Sequence, residues 1–314
     1  MKYAAWILLF VFCLAYPAAA QVATPSALPR LEFSTQTDPV SLLGAFYNAI
    51  SLGDYARAYA YWEQAPRGMT EAQFAAGFGD TRDAHVLVRL PIAADAGAGN
   101  VYASIAVLVI AEHTDDTTHY YAGCFTAHLT NVPVGNATEP DPNWHIQAGT
   151  LREQATPDLS ALDTACELSY TLVDDPYPQS QLEPTALVQA YFAAVAGHDT
   201  MLAASYWETP SQDLFAQQYG STAASAQGIG LIVNPETFGE GAAGSVYVSV
   251  PTLTVFTLAD DSAHYVTGCY VTRAVNVPVG DAATPDPNWH FYGVTLSEVP
   301  DVTSAVLATA RGCN

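Results

Sequence analysis

Side chains able to do chemistry recur in this chain in pairs, 145 residues apart. Asp54 and Asp199 are one such pair. An aspartate acts as a general base when an apolar cavity raises its pKa. Each of these two, however, stands directly before a helical pattern, where an aspartate caps the helix. Trp62 and Trp207, and Trp144 and Trp289, are paired in the same way, and such rings either fill a core or rim a binding surface. Trp144, Ile146 and Ala148 are spaced to share one strand face, as are Trp289, Phe291 and Gly293, and that face is expected to meet helices or line a cavity. His145 and His290 then point the other way, where they read as hydrogen-bonding surface histidines, with a ligand role as the alternative. His128 aligns with Arg273, and each lies four residues past a strand cysteine, on the cysteine's face. A buried Arg273 in so arginine-poor a region calls for an acid or an anionic ligand; an exposed strand-end charge is the plain alternative. Trp62, Trp144, Trp207, Trp289, Tyr120, Tyr265 and Arg273 are the candidate ligand-binding residues, and no catalytic residue is assigned.

His113-x-Asp115-Asp116-x-x-His119 contains metal-binding residue types. The second occurrence keeps only Asp260-Asp261-x-x-His264, with Leu258 in the place of His113, and a polar hairpin turn accounts for both. No metal or other cofactor is expected. There is no EF-hand pattern, G-x-S-x-G or Gly-rich phosphate loop. Asn136-Ala137-Thr138 is a glycosylation sequon, replaced by Asp281 in the second occurrence.

These pairs exist because one domain is written twice. Tyr120–Leu151 and Tyr265–Leu296 are identical at 17 of 32 positions without a gap. The same offset aligns Tyr61-Trp62-Glu63 with Tyr206-Trp207-Glu208. Each copy is long enough for its own core. Leu42, Leu43, Phe46, Tyr47 and Ile50 follow helical spacing, as do Leu187, Val188, Tyr191 and Val195. A second helix is predicted from Asp54 and Asp199, and a third, short one ending at Gly79 or Gly220. Strands follow over 101–110, 120–129 and 145–151, and over 246–256, 265–275 and 290–296, with Pro251 marking an edge or bulge. The fold class is α+β: two tandem cone-shaped domains, each with about three N-terminal helices packed on a curved antiparallel sheet.

Of five cysteines, Cys13 falls in the N-terminal apolar stretch and four remain. An even number in an exported chain reads as disulfides, and four cysteines allow three connectivities. Each copy holds one cysteine after Tyr-x-x-Gly and one near its end, so Cys124–Cys166 and Cys269–Cys313 is the economical pairing. A four-thiolate zinc site fits poorly without a C-x-x-C pair.

Residues 1–20 have the form of a secretory signal peptide, with Lys2, an apolar run and Ala18-Ala19-Ala20 before Gln21. A flexible lead-in is expected over 21–38, the first domain over 39–170, a linker over 171–183 and the second domain over 184–314. Nine basic residues face 31 acids, for a net charge of −22, and Lys2 is the only lysine. Such a chain cannot neutralise a row of phosphates, which excludes electrostatically driven nucleic-acid binding and disfavours anionic membranes. With 50% hydrophobic and 13% charged residues it is not disordered. No second membrane span is expected after the signal.

The helical run with Phe46-Tyr47, Gly53-Asp54-Tyr55 and Tyr61-Trp62, then the Gly-Cys and Asn-Trp-His strands, resembles nuclear-transport-factor-2-like domains, the superfamily that includes ketosteroid isomerase. The resemblance covers most of each copy and implies a cone; the superfamily holds enzymes, ligand binders and association modules. The catalytic Asp and oxyanion-binding Tyr of its isomerase-like members match no position of this sequence. The resulting expectation is an exported, non-enzymatic protein that binds a small apolar or amphipathic ligand or an envelope protein, its two domains packed as an intramolecular pseudo-dimer. The alternatives are a cavity enzyme of isomerase or hydrolase type and a structural envelope module.

Overall fold

The computed structural model describes residues 31–97, 99–130, 143–167, 181, 183–210, 214–242, 244–275 and 286–313. The expected signal peptide, the sequon at Asn136 and most of the expected linker lie outside them. Glu32–Asn314 forms one compact unit.

Helix α1 (Pro39–Ser51) starts where Asp38 accepts from the N–H groups of Val40 and Ser41, and Pro39 occupies the first turn, where its missing N–H is no loss. Asp54 caps α2 (Tyr55–Ala60). Thr70 and Gln73 form a capping box on α3 (Glu71–Ala76). That helix ends short of the expected Gly79 because Gly77 takes the C-cap. After the one-turn α4 (Ser160–Asp163), the helical set repeats. Helix α5 (Pro184–Ala196) again starts on proline, and Asp199 caps α6 (Thr200–Ser205). In α7 (Leu214–Ser225) the helical backbone breaks at the expected Gly220, which takes φ +56°, and a second short turn follows it.

The strands are β1 (Thr81–Leu90), β2 (Ala93–Gly97), β3 (Asn100–His113), β4 (Thr118–Thr130) and β5 (His145–Gln154), then β6 (Ala226–Val233), β7 (Gly239–Ala242), β8 (Ser245–Leu258), β9 (Ala263–Val275) and β10 (Asp286–Val299). Asp116 and Asp261 take positive φ in the β3–β4 and β8–β9 turns. All ten strands form one antiparallel sheet, ordered β10-β9-β8-β6-β1-β3-β4-β5, with β2 added to β3 and β7 to β8. The fold is therefore α+β with a large antiparallel sheet. Strands β1 and β6, absent from the sequence expectation, join the copies through Val88↔Val233, Arg89↔Ile232 and Leu90↔Leu231. Pro251 lies in an interior strand, not at an edge. It stands opposite Asn234, one residue beyond the end of β6: its carbonyl accepts from the Asn234 N–H, and its missing N–H leaves the reciprocal bond unmade just where the β6–β8 ladder stops.

One layer of core lies between this sheet and α1–α3 and α5–α7, and it is continuous through both copies. The opposite, outer face carries a second core that holds Leu162 of α4 and Ala305, Val306 and Ala310 of α8 (Val302–Ala310). Disulfides Cys124–Cys166 and Cys269–Cys313 are formed, each fastening the end of an outer-face helix to a strand. The Gly-Cys pair repeated in both copies has a steric cause. A Cβ on Gly123 would lie 1.8 Å from the Thr150 carbonyl oxygen, and one on Gly268 would lie 2.7 Å from Thr252 Oγ1.

The lead-in expected over 21–38 is anchored at its described end. Phe33 is buried, its N–H donates to Asn48 Oδ1, and Gln36 exchanges hydrogen bonds with Trp144. Of the linker, Gln181 repeats that exchange with Trp289.

Candidate functional site

The interior of each copy is packed with aromatic rings. In the first, Trp62 stands 6.0 Å from Phe46 and 6.4 Å from Phe125 between ring centroids. In the second, Trp207 stands 4.9 Å from Phe291 and 5.9 Å from Tyr191. Trp62 and Trp207 are placed by bridges from the ends of α2 and α6 to Ile146 of β5 and Phe291 of β10. Trp144 and Trp289 stand apart from these ring clusters, held through their backbones by Gln36 and Gln181. The expected alternation Trp144–Ile146–Ala148 breaks after Ile146. Gln147 is an extra residue opposite the Thr126–Ala127 step, and Ala148 is exposed. Tyr292 is the matching extra residue in β10, 58% exposed.

The titratable groups among the interior rings are phenols. Burial lifts Tyr47 and Tyr191 above the ordinary tyrosine range. Tyr219 is pushed up to about 12, again by burial, and Tyr270 lies well above its usual value. The Tyr219 and Tyr270 hydroxyls are 2.6 Å apart, so each phenol supplies the other's hydrogen bond. The first copy has no such pair, because Phe78 and Phe125 occupy the equivalent places.

Arg273 finds its acid within the chain. Its Nη1 donates to both carboxylate oxygens of Glu208 at 3.1 and 3.2 Å, its Nε donates to Ser245 Oγ, and its guanidinium lies over Tyr247. His128 occupies the same place in the first copy. Its Nδ1 is 3.0 Å from Glu63 Oε1, its Nε2 is 2.8 Å from Asn100 Oδ1, and its ring stacks on Tyr102. The repeated Tyr-Trp-Glu is thus explained: the tryptophan enters the core and the glutamate reaches a rim cation or imidazole. These pairs tie the chain after α2 and α6 to the sheet and need no outside ligand. Asp54 and Asp199 serve as helix caps. In the His113–His119 hairpin, Asp115 accepts from Thr117, Asp116 pairs with Arg82, and His119 Nδ1 meets Glu153.

A different place is open. Where the outer face passes from one copy to the other, the chain leaves a cleft of about 680 Å³. Its floor is two cross-strand rows of β6, β8 and β9: Gly228–Thr257–Ala263 and Gly230–Val255–Tyr265. Leu159 and Val302, preceding α4 and opening α8, contribute to its walls, and Arg89 of β1 closes one side. Arg89 Nε and Nη2 reach Asp163 Oδ1 at 3.3 and 3.2 Å, and Nη1 donates to the Leu90 carbonyl. The guanidinium lies against the Gly230 backbone, where a Cβ would come within 3.2 Å of Nη1. Of the seven candidate residues, Tyr265 lines this cleft; its counterpart Tyr120 packs against the outer core that includes Leu162 of α4. Sequence reasoning missed Arg89, Asp163, Gly228 and Gly230. The available signal was the apolar run Val86–Leu90 beside Ile229–Val233, which pairs as strands.

No known family profile matches the chain, and no curated protein matches it either.

Proposed function

We propose that this is an exported, non-enzymatic protein of two tandem cone-shaped domains, similar to nuclear-transport-factor-2-like domains, whose task is to bind a small apolar or amphipathic ligand. Two disulfides support an oxidising destination. Among the described residues no helix is long and apolar enough to cross a membrane. The helices-first order in each copy supports the cone reading, and the β1–β6 pairing supports an intramolecular pseudo-dimer. The observation that carries the function is the contrast between ring-packed interiors and an open cleft at the seam. An enzyme of isomerase or hydrolase type calls for an acid or imidazole with a displaced pKa among the interior rings. The groups displaced there are phenols, all driven toward the neutral form.

Native mass spectrometry of protein purified from its own host tests this reading. A reproducible added mass, lost on denaturation, is the expected result. A bare mass in repeated preparations would count against a small-molecule binder and favour a protein partner or a structural envelope role.

A further inference from the structure

We infer that the cleft at the seam is a single, one-sided site for an uncharged amphipathic small molecule; the inference rests on the binding function proposed above. Its basis is a divergence between the two copies at one place in the sheet. The registers Val86↔Val109 and Leu231↔Thr254 put β1 and β6 in equivalent positions. In the first copy the rows matching the cleft floor are Asp83–Glu112–Thr118 and His85–Ile110–Tyr120. Asp83 lies 3.5 Å from His85, and Glu112 is paired with Arg82. The second copy replaces Asp83, Glu112 and His85 with Gly228, Thr257 and Gly230. Polar, titratable side chains give way to bare backbone and a hydroxyl, and the surface is lowered by the height of two side chains.

The covering helices diverge as well. Asn234 occupies the position equivalent to Arg89 and donates from Nδ2 to the Thr309 and Ala310 carbonyls, closing the last turn of α8. That helix has nine residues and packs across β8, β9 and β1. By contrast α4 has only four residues, and Arg89 reaches Asp163 at its end. The cleft lies over the rows of the second copy, and its volume suits a small molecule.

The chemistry of the lining selects the class of ligand. The floor rows contain two glycines, alanine, valine, threonine and tyrosine. The cation at the rim is matched by Asp163, and the Asp158 carboxylate accepts from Ser160 N–H and Oγ. A net charge of −22 repels anions on approach, and a cation finds no carboxylate on the floor. An uncharged apolar body fits Gly230–Val255–Tyr265, while a hydroxyl or carbonyl on it exchanges hydrogen bonds with the Arg89–Asp163 pair.

The test compares two fluorescent probes sharing one ring system: uncharged N-phenyl-1-naphthylamine and its sulfonated analogue, 8-anilinonaphthalene-1-sulfonate. The full chain is titrated as wild type, as Gly228→Val and as Ala263→Leu. A Cβ on Gly228 meets only Thr257, at 3.7 Å, and valine favours strands, so this variant folds while its methyl groups fill the floor. Ala263 is exposed at the far end of the same row, and thermal unfolding checks both variants. The expected result is saturable one-to-one binding of the neutral probe, weakened about tenfold or more by each variant, with the sulfonate binding about tenfold more weakly than the neutral probe. Neutral-probe binding unchanged in both variants, or equal affinity for the two probes, overturns the inference. Absence of saturable neutral-probe binding, with a bound molecule still seen by native mass spectrometry, sinks the site and its ligand class while the binding function stands.

Discussion

At Asp38 one carboxylate meets two opposed demands. Its Oδ1 accepts from the Val40 and Ser41 N–H groups at the start of α1, which favours the charged form. Its Oδ2 is buried without a partner, and burial outweighs the hydrogen bonds, so its pKa is raised above the ordinary carboxylate value. Glu183, at the equivalent position before α5, is raised too, by burial first and then by the charge of Asp38. A raised carboxyl contributes stability that is complete below its unfolded pKa and is lost as pH rises through its folded pKa. Asp38→Asn keeps the capping oxygen and removes the titration. Wild type is therefore expected to gain on the variant as pH falls from 7 toward 4, in parallel melting curves. A constant difference across that range would show that Asp38 does not titrate there.

Among the elements, those readable from the sequence carry a one-sided pattern. Helices α1 and α5 bury apolar residues at helical spacing, and the hairpins β3–β4 and β8–β9 turn at acidic pairs. Strand β1 is different: Val86 and Val88 face one core, and Leu87 faces the other. A strand covered on both faces shows a continuous apolar run rather than alternation, and here that run is short. The candidate site was legible only at Tyr265 for a related reason. Chemistry is read from side chains, whereas this cleft is made by the lack of them at Gly228 and Gly230 and by the shortness of α4. Helix α8 was missed because its small residues give little periodicity, and the chain secures it covalently. Closing a loop with a sequence separation of 44 contributes about 4 kcal/mol. Replacing both Cys269 and Cys313 with serine is expected to lower urea-unfolding stability by up to about that amount, leaving the secondary structure in place. A loss below about 1 kcal/mol would mean that the apolar face of α8 holds it without the bridge.

On the scale of the whole molecule, the three-pair seam between β1 and β6 understates how firmly the copies are joined. The core beneath α1 and α5 is continuous across it. Gly44 of α1 brings the Pro235 backbone so close that a Cβ would lie 3.1 Å from its carbonyl, and Phe33 meets Phe238 edge to face. Scanning calorimetry is expected to show one cooperative transition for the full chain, with matching calorimetric and van't Hoff enthalpies. Two resolved transitions would mean that each copy folds by itself. The bulges at Gln147 and Tyr292 bear on growth. The antiparallel β1–β6 pairing uses up the one edge by which the copies meet, so β5 and β10 are the margins left open. The extra residue in each breaks the regular spacing of N–H and C=O groups that a third unit would have to match. Growth beyond two copies is opposed twice over, by a seam that closes on itself and by margins spoiled as templates.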